Sequence, residues 1–189
     1  MAEPMGTPGE TDEALLARVA AGDVGALEEL YARHGRAVFA CLCALTPDRG
    51  LAEELLQDTL VAAWAGAGGF SQEGSVRSWL LGIARRRARD ALRRRHLRLA
   101  PLADGDRLPA PPGATDELAL ARAELGELAV AIRALPEAHQ EVLVLTFVHG
   151  LPNGEAAGVL GVPVGTVKSR LNHARVALRA AVGREGGAP

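Results

Sequence analysis

The stretch Glu155–Arg170, EAAGVLGVPVGTVKSR, decides how the carboxyl-terminal part of this 189-residue chain folds. Gly161 fits the left-handed position that ends many helices, and Pro163 fits the start of a new helix two residues later. We therefore predict a short helix over about Leu151–Gly161 and a long helix over about Pro163–Val182. Two helices joined by so short a turn form a helix-turn-helix.

The long helix of this motif has an apolar side and a polar side. At about 100° per residue, its inward side carries Val167, Leu171, Ala174 and Leu178. In such motifs the amino-terminal half of the second helix enters the major groove of DNA. The outward residues of that half are Lys168, Ser169, Asn172 and His173, with Arg170, Arg175 and Arg179 better placed for phosphates. The alternative is an ordinary helical hairpin whose polar side faces solvent.

A break in composition separates this module from the rest of the chain. Residues 99–116, LAPLADGDRLPAPPGATD, hold four prolines and two glycines without helical periodicity. We predict a flexible linker there, between a first domain at 11–98 and a second at 117–182, with flexible tails at 1–10 and 183–189. Fully extended, such a linker spans roughly 60 Å, so the two domains can reach distant parts of one target.

The first domain is predicted to be helical throughout. Apolar residues make up 48% of the chain but aromatic residues only 3%, and the abundant alanine and leucine favour helix over strand. The apolar spacing predicts two helices between Thr11, a capping residue, and about Leu45. Two more are predicted over about Arg49–Ala65 and about Ser75–Arg95, with a glycine-rich loop at Gly66–Gly74.

The second domain is predicted to be helical as well. Apolar residues at helical spacing predict a helix that carries Leu118, Leu125, Leu128, Ile132 and Leu135. The stretch Val142–Val148 also fits a buried strand, but Pro136 makes a helix start and Gly150 a helix stop, so we favour a helix. The predicted fold class is all-α, with two small helical domains.

Positive charge is concentrated in two segments, although the net charge is only −2. Residues 77–98 contain nine arginines and one acid, and residues 164–184 contain five basic residues and no acid. The segments 1–76 and 99–163 are acidic. Two basic segments indicate two contacts with a polyanion, while the acidic remainder limits non-specific binding or meets a basic protein partner.

The first basic segment is predicted to form an amphipathic helix. Its apolar side carries Leu81, Ala84, Ala88, Ala91 and Leu92, and its opposite side carries Arg85, Arg86, Arg89 and Arg93. Planar guanidinium groups presented on one side suit phosphates. Phe70 and Trp79 lie just upstream, where exposed aromatic rings would stack on unpaired bases. The alternative is a solvated arginine face with two aromatic residues in the core.

Other features of the sequence disfavour secretion, a membrane span and catalysis. The first ten residues lack the basic start and apolar stretch of a signal peptide, and no run of about 18 apolar residues occurs, so we expect a cytoplasmic protein. Cys41 and Cys43 are predicted to be reduced helix residues. Without a Ser/His/Asp grouping or metal-ligand spacing, we expect no enzyme activity, cofactor or bound metal.

Three motifs follow one another along the chain. The first is EELLQDTLVAAW at 53–64, the second is SVRSWLLGIAR at 75–85, and the third runs through 135–175 and includes GTVKSR. They resemble, in this order, the polymerase-binding helix, the promoter-melting segment and the upstream-element reader of the extracytoplasmic-function sigma factors of bacterial RNA polymerase. The resemblance covers about residues 11–182.

The resemblance implies a function and a set of contacts. A protein of this family binds core RNA polymerase, directs it to a two-part promoter and helps to hold the strands of promoter DNA apart. The largest-subunit clamp of polymerase would meet Leu55, Gln57, Asp58 and Trp64, and the flap of the second-largest subunit is a further contact. The unpaired minus-ten strand would meet Phe70, Arg77, Trp79, Arg85, Arg86, Arg89 and Arg93. The minus-thirty-five duplex would meet Thr166, Lys168, Ser169, Arg170, Asn172, His173 and Arg175. An anti-sigma protein is common in this family, and the resemblance leaves such a partner open.

Two alternative functions stay open at the level of the sequence. The segment Leu135–Arg170 also resembles the output domain of LuxR-type activators, which dimerise on paired half-sites and do not need a polymerase-binding motif. A sigma mimic that only titrates an anti-sigma protein would have little reason to keep both basic faces. Binding to core polymerase without DNA discriminates against the first alternative, and promoter melting against the second.

Overall fold

The protein folds into two compact helical units. The computed structural model of the chain describes residues 10–46, 48–71, 74–98, 132 and 134–185. The first unit ends at Arg98, and the rest of the described chain belongs to the second. All regular structure within these ranges is helical, which confirms the predicted all-α class. The predicted linker, the helix predicted upstream of Ile132 and the two ends of the chain, 1–9 and 186–189, lie outside the described residues.

Four helices are described in the first unit. They are α1 at Asp12–Ala20, α2 at Val24–Leu45, α3 at Arg49–Gly66 and α4 at Val76–Arg98. A short 3₁₀ turn, Ala67–Gly69, follows α3 in the predicted glycine-rich loop. The predicted helices are confirmed, and α4 extends beyond its predicted end at Arg95.

Each helix of the first unit begins at a polar side chain that accepts a hydrogen bond from a free backbone amide. In every case the amide belongs to the residue three positions later, at 3.0–3.3 Å from the side-chain oxygen. The capping residues are Thr11, Asp23, Asp48 and Ser75. One such cap contributes about 1 kcal/mol to stability, so the four together fix where the helices start.

The core of the first unit consists mainly of aliphatic side chains from all four helices. Leu16 of α1, Leu30 and Leu42 of α2, and Leu55 of α3 are each at most 2% exposed and belong to one cluster. The placement of Leu55 in a polymerase contact is therefore wrong. Its side chain packs inside the core, so almost none of its surface is accessible to a partner.

One stretch in the amino-terminal half of α4 is buried on every side. Residues 80–85 are all buried because α4 packs against α1, α2 and α3. The prediction of a two-sided helix is wrong for this stretch, and so is the exposed position predicted for Arg85, which is only 6% exposed. From Arg86 onward the helix is two-sided as predicted, with Ala88 buried and Asp90 exposed.

Ion pairs tie the start of α1 to α2. Asp12 Oδ2 lies 2.6 Å from His34 Nε2, and Asp12 Oδ1 lies 3.0 Å from Arg33 Nη1. Arg33 also donates to Glu29 Oε1 at 2.9 Å. Burial by itself raises the pKa of Asp12, but the hydrogen bonds and charges of Arg33 and His34 outweigh it and hold that pKa below its usual 3.8.

Three helices are described in the second unit. They are α5 at Glu137–Leu143, α6 at Asn153–Leu160 and α7 at Val164–Glu185. A π-helical turn, Val144–Val148, continues α5, so the helix favoured over a strand for Val142–Val148 is confirmed. The last helix runs to Glu185 and therefore extends into the predicted carboxyl-terminal tail.

A proline directly precedes each of these three helices. The prolines are Pro136, Pro152 and Pro163. The ring of proline fixes a backbone angle that suits a helix start, and the missing amide of proline is one that a helix start leaves unpaired in any case. The second unit thus starts its helices with proline where the first uses polar caps.

The turn between α6 and α7 is set by one glycine. Gly161 has φ 65° and ψ 36°, the left-handed conformation expected from the sequence. The amide of Val162 then donates to the carbonyl of Ala157 at 3.1 Å, and the amide of Gly161 donates to that of Gly158 at 3.3 Å. These bonds pair carbonyl groups at the end of α6 and turn the chain into α7. The predicted helix-turn-helix is confirmed.

We predict that Asp12→Asn lowers the free energy of unfolding of the first unit by about 1 kcal/mol at neutral pH, the usual scale for partly exposed ion pairs. A carboxyl group whose pKa is lowered by folding stabilises the fold above its unfolded pKa, and this contribution is lost as pH falls through the folded pKa. The difference between the variant and the unmodified chain should therefore close below about pH 4. Urea unfolding followed by tryptophan fluorescence measures it, because both tryptophans, Trp64 and Trp79, lie in the first unit.

The matched control is Glu13→Gln. Glu13 lies in the same first turn and is exposed, but it forms no ion pair with any described residue. Its substitution removes the same charge and should change stability by less than Asp12→Asn does. A deficit of Asp12→Asn that stays the same as the pH is lowered from neutral until Asp12 is protonated would contradict the ion-pair explanation.

We also predict opposite effects for two glycine substitutions in the second unit. Gly161→Ala should destabilise it by about 1 kcal/mol, because alanine is strained in the left-handed conformation although the space beside Gly161 is open. Gly158→Ala places a methyl group into open space on the exposed side of α6 and should stabilise the unit by up to about 1 kcal/mol. Hydrogen exchange of the α6 and α7 amides measures both changes. Shifts of the same sign would overturn the assignment of Gly161.

Candidate nucleic-acid interface

The exposed part of α4 presents an arginine face, defined here as Arg86, Arg89, Arg93 and Arg94. All four side chains are exposed. Arg93 Nη2 lies 3.4 Å from Asp90 Oδ1, but both side chains are more than half exposed, so this pair holds Arg93 only weakly. Arg86 forms no ion pair with any described residue. The face therefore retains a high density of positive charge.

Arg95, in contrast, contacts an acid of its own unit. Its Nη1 lies 3.3 Å from Asp48 Oδ2, while Asp48 Oδ1 caps α3. The pKa of Asp48 is lowered, mainly because its carboxylate accepts the hydrogen bond from the Leu51 amide; desolvation opposes this effect, and the contact with Arg95 adds to the lowering. Arg95 thus joins the carboxyl-terminal part of α4 to the start of α3.

The two aromatic residues upstream of the arginine face contact each other. The ring centroids of Phe70 and Trp79 are 5.6 Å apart at an interplanar angle of 68°, an edge-to-face pair. Both rings are half-buried and pack against the core cluster. The two rings are neither exposed, as predicted for stacking on bases, nor buried in the core, as in the alternative, because packing on the core covers only part of each ring. The pair joins the loop after α3 to the start of α4, where Arg77 is half-exposed.

The outer side of α3 presents a stripe of exposed residues. Gln57 is exposed and Asp58 half-buried, as a surface contact requires, while Trp64 is half-buried against the core. Val61 lies one turn after Gln57 and is 68% exposed. Val61 is not among the predicted polymerase contacts Leu55, Gln57, Asp58 and Trp64. Residues four positions apart lie on the same side of a helix, so the spacing between Gln57 and Val61 places both on one side of α3.

The polar side of α7 forms the recognition face, defined here as Lys168, Ser169, Asn172 and His173. All four are exposed, while Val167, Leu171 and Ala174 on the opposite side are buried, so the predicted orientation is confirmed. The remaining predicted contacts differ in exposure: Thr166 and Arg170 are half-buried, and Arg175 is exposed. The ring of His173 lies 6.0 Å from that of His139 in α5, centroid to centroid.

An open groove runs beside the recognition face. It is lined by Lys168, Asn172 and Arg175 of α7, by Asn153 at the start of α6, and by Phe147 of the π-helical turn. Phe147 is not among the predicted site residues, since the only prediction for Val142–Val148 was a helix in preference to a buried strand. A helix over that stretch has one side that faces outward, and a helical wheel drawn from the sequence shows which residues lie on it.

Comparisons with known proteins assign both units. Residues 30–98 match the family described as Sigma-70 region 2, and residues 125–178 match Sigma-70, region 4. The ECF RNA polymerase sigma factor SigC of Mycobacterium tuberculosis is 35% identical over 171 residues, which cover 90% of this chain and 91% of that protein. The chain belongs to the extracytoplasmic-function sigma factors.

Solved structures of other sigma factors agree with this assignment. The RNA polymerase sigma factor CnrH of Cupriavidus metallidurans is 34% identical over 182 residues, 92% of this chain and 95% of CnrH. Its structure in complex with the cytosolic domain of CnrY superposes with a TM-score of 0.71 and covers 93% of this chain and 99% of that one. The sigma factor RpoE of Bartonella quintana, in complex with the anti-sigma factor NepR, gives a TM-score of 0.68 at 25% identity and covers 82% of this chain and 96% of that one.

As a sigma factor, the protein binds RNA polymerase and directs transcription initiation, and it is not itself an enzyme. The first unit contains region 2 and the second contains region 4. The LuxR-type alternative is wrong, since the match to region 2 extends over most of the first unit. Among the described residues, no helix combines the length and apolar character that a bilayer span requires, and no three potential metal ligands cluster together.

We predict that alanine at Arg86, Arg89 and Arg93 together weakens binding of the polymerase holoenzyme to single-stranded DNA and flattens its salt dependence. Removing one phosphate contact with a single strand reduces the slope of log K against log salt by about 0.7. Fluorescence anisotropy with a mixed-sequence oligonucleotide measures the slope, and core polymerase alone gives the baseline.

Two further variants serve as controls for this experiment. Arg36→Ala removes an exposed arginine of α2 and should leave the slope unchanged. Arg85→Ala should lower the stability of the first unit instead, because its side chain is buried. An equal slope for the triple variant and the unmodified chain would contradict the phosphate-contact role of the arginine face.

Proposed function

We propose that this sigma factor recognises a two-part promoter, with one element read by each unit. The observation that carries the proposal is that each unit leaves one basic helical face exposed while the opposite side of the same helix is buried. The arginine face of α4 suits an unpaired strand, and the recognition face of α7 suits a duplex. The pairing follows the matches of the two units to regions 2 and 4.

The recognition face has the side chains that direct base readout needs. In this proposal it enters the major groove of the minus-thirty-five duplex. Lys168 suits the acceptor atoms of guanine, Asn172 suits adenine, and Ser169 donates or accepts with either base. His173 adds a nitrogen donor or acceptor at the edge of the same face. Thr166, Arg170 and Arg175 then contact phosphates on either side of the groove.

The arginine face holds the phosphates of the unpaired minus-ten strand in the same proposal. Its guanidinium groups present several coplanar donors each, which match phosphate oxygens. Phe70 and Trp79 contribute through the parts of their rings that stay exposed, and Arg77 through its half-exposed side chain. The edge-to-face pair supports this role, because it holds the Phe70 ring of the preceding loop against Trp79 of α4.

The exposed stripe of α3 is the proposed contact with the clamp of the largest polymerase subunit. Gln57 and Asp58 supply hydrogen-bonding groups, and Val61 supplies an apolar centre between them and Trp64. A contact with a small apolar centre and a polar rim is typical of protein interfaces. The flap of the second-largest subunit is proposed to contact the second unit.

An anti-sigma protein is proposed as a further partner. The solved relatives CnrH and RpoE are in complex with CnrY and with the anti-sigma factor NepR, and this chain covers almost the full length of both. The proposal does not extend to a sigma mimic, because both basic faces are present and exposed.

Run-off transcription on genomic promoters with purified core polymerase tests the proposal. We expect transcripts that depend on this chain, and we expect Lys168→Ala with Asn172→Ala to reduce them at least about tenfold, since one bidentate base contact gives about 1–3 kcal/mol of discrimination. The same double variant should still co-purify with core polymerase. A complete lack of chain-dependent transcripts at every salt concentration would refute the proposal.

Co-purification without DNA tests the polymerase contact separately. Val61→Glu should weaken it, because a charge is placed in the proposed apolar centre. Val24→Glu is the matched control, since Val24 is a similarly exposed valine at the start of α2. Equal co-purification of the two variants would remove Val61 from the interface.

A further inference from the structure

Phe147 is an aromatic residue that the fold leaves exposed next to the recognition face. Its side chain is 58% exposed, whereas Val144 and Leu145 of the same π-helical turn are buried. The amide of His149 donates to the carbonyl of Val144 at 3.0 Å, a bond that spans five residues and defines the widened turn. Exposure of a large apolar ring to water is unfavourable. The exposed position of Phe147 beside the groove therefore needs an explanation.

The ring of Phe147 lies under the guanidinium group of Arg175. The Cζ atom of Arg175 is 5.1 Å from the ring centroid, within the range of a cation–π contact. Such a contact uses the flat side of the guanidinium group and leaves its coplanar N–H donors available. In the first unit, Arg18 and Arg33 direct their N–H groups at carboxylates. Arg49 lies over the Phe39 ring at the same distance of 5.1 Å, but it also donates to Glu53, so its N–H groups are not left to a ligand as those of Arg175 are.

The surroundings of Arg175 keep those donors available for a ligand. Arg175 forms no ion pair with any described residue. It lines the open groove together with Lys168 and Asn172 of the recognition face. A long side chain at such a place loses rotamer freedom when it binds, and restraint before binding removes part of that cost.

We propose that Phe147 is a positioning residue: it holds the guanidinium group of Arg175 in the orientation in which it contacts a phosphate at the edge of the duplex read by α7. The inference rests on the proposed duplex recognition by the second unit, and it adds a residue that has no direct part in base readout. Phe147 acts through Arg175. Its effect on DNA binding therefore requires the arginine.

The test is a double-variant cycle on the full chain. The probe is a mixed-sequence duplex of about 30 base pairs, because a phosphate contact does not depend on base sequence. Phe147→Leu, which keeps an apolar side chain but removes the ring, should weaken binding about two- to fivefold. Phe147→Tyr keeps the ring and should bind as the unmodified chain does. Arg175→Ala should also reduce the slope of log K against log salt by about 0.9.

The double variant Phe147→Leu with Arg175→Ala decides between positioning and an independent role. We expect it to bind no more weakly than Arg175→Ala alone. Additive effects of the two substitutions would overturn the inference, as would unchanged binding of Phe147→Leu or equal weakening by Phe147→Tyr. Unchanged binding of Arg175→Ala would also overturn it, while the proposed function would still be judged by transcription with the Lys168 and Asn172 variants. Thermal unfolding of all variants separates these outcomes from loss of fold.

Discussion

The packing of α4 against the other three helices of the first unit is the constraint on which the nucleic-acid surface of that unit depends. The buried stretch 80–85 fixes the rotation of the helix about its own axis. A rigid helix transmits that rotation along its length, so the four side chains of the arginine face are exposed together. The arginine face is therefore a consequence of aliphatic packing at the other end of the same helix.

The distribution of carboxylates decides which cations stay available for a ligand. Asp12, Glu29 and Asp23 contact arginines of α1 and α2, and Asp48 contacts Arg95. Within the arginine face, Arg93 contacts Asp90 through side chains that are both more than half exposed, and Arg86 forms no ion pair with any described residue. Because a cation that already has an acidic partner gains less from a phosphate, Arg86 suits DNA better than the arginines of α1 and α2 that contact carboxylates.

In the second unit, a few residues determine which side of α7 is exposed. Gly161 sets the turn, Val167 and Ala174 fix the buried side of α7, and the recognition face follows from these two constraints. The π-helical turn then places a ring against Arg175 without using its hydrogen-bond donors. Both units thus bury the apolar side of a basic helix and leave its polar side exposed.

The sequence by itself determined the elements that depend on local interactions. The all-α class, the helix-turn-helix at Gly161, the capping role of Thr11 and the outward side of α7 were all predictable, because caps, glycine conformation and helical periodicity act within a few residues. Only the tertiary structure decided the burial of Arg85 and Leu55, the partial covering of Phe70 and Trp79, and the exposure of Phe147. Burial depends on which helices surround a side chain, and neighbours distant in sequence supply that environment, so periodicity along one helix does not reveal it.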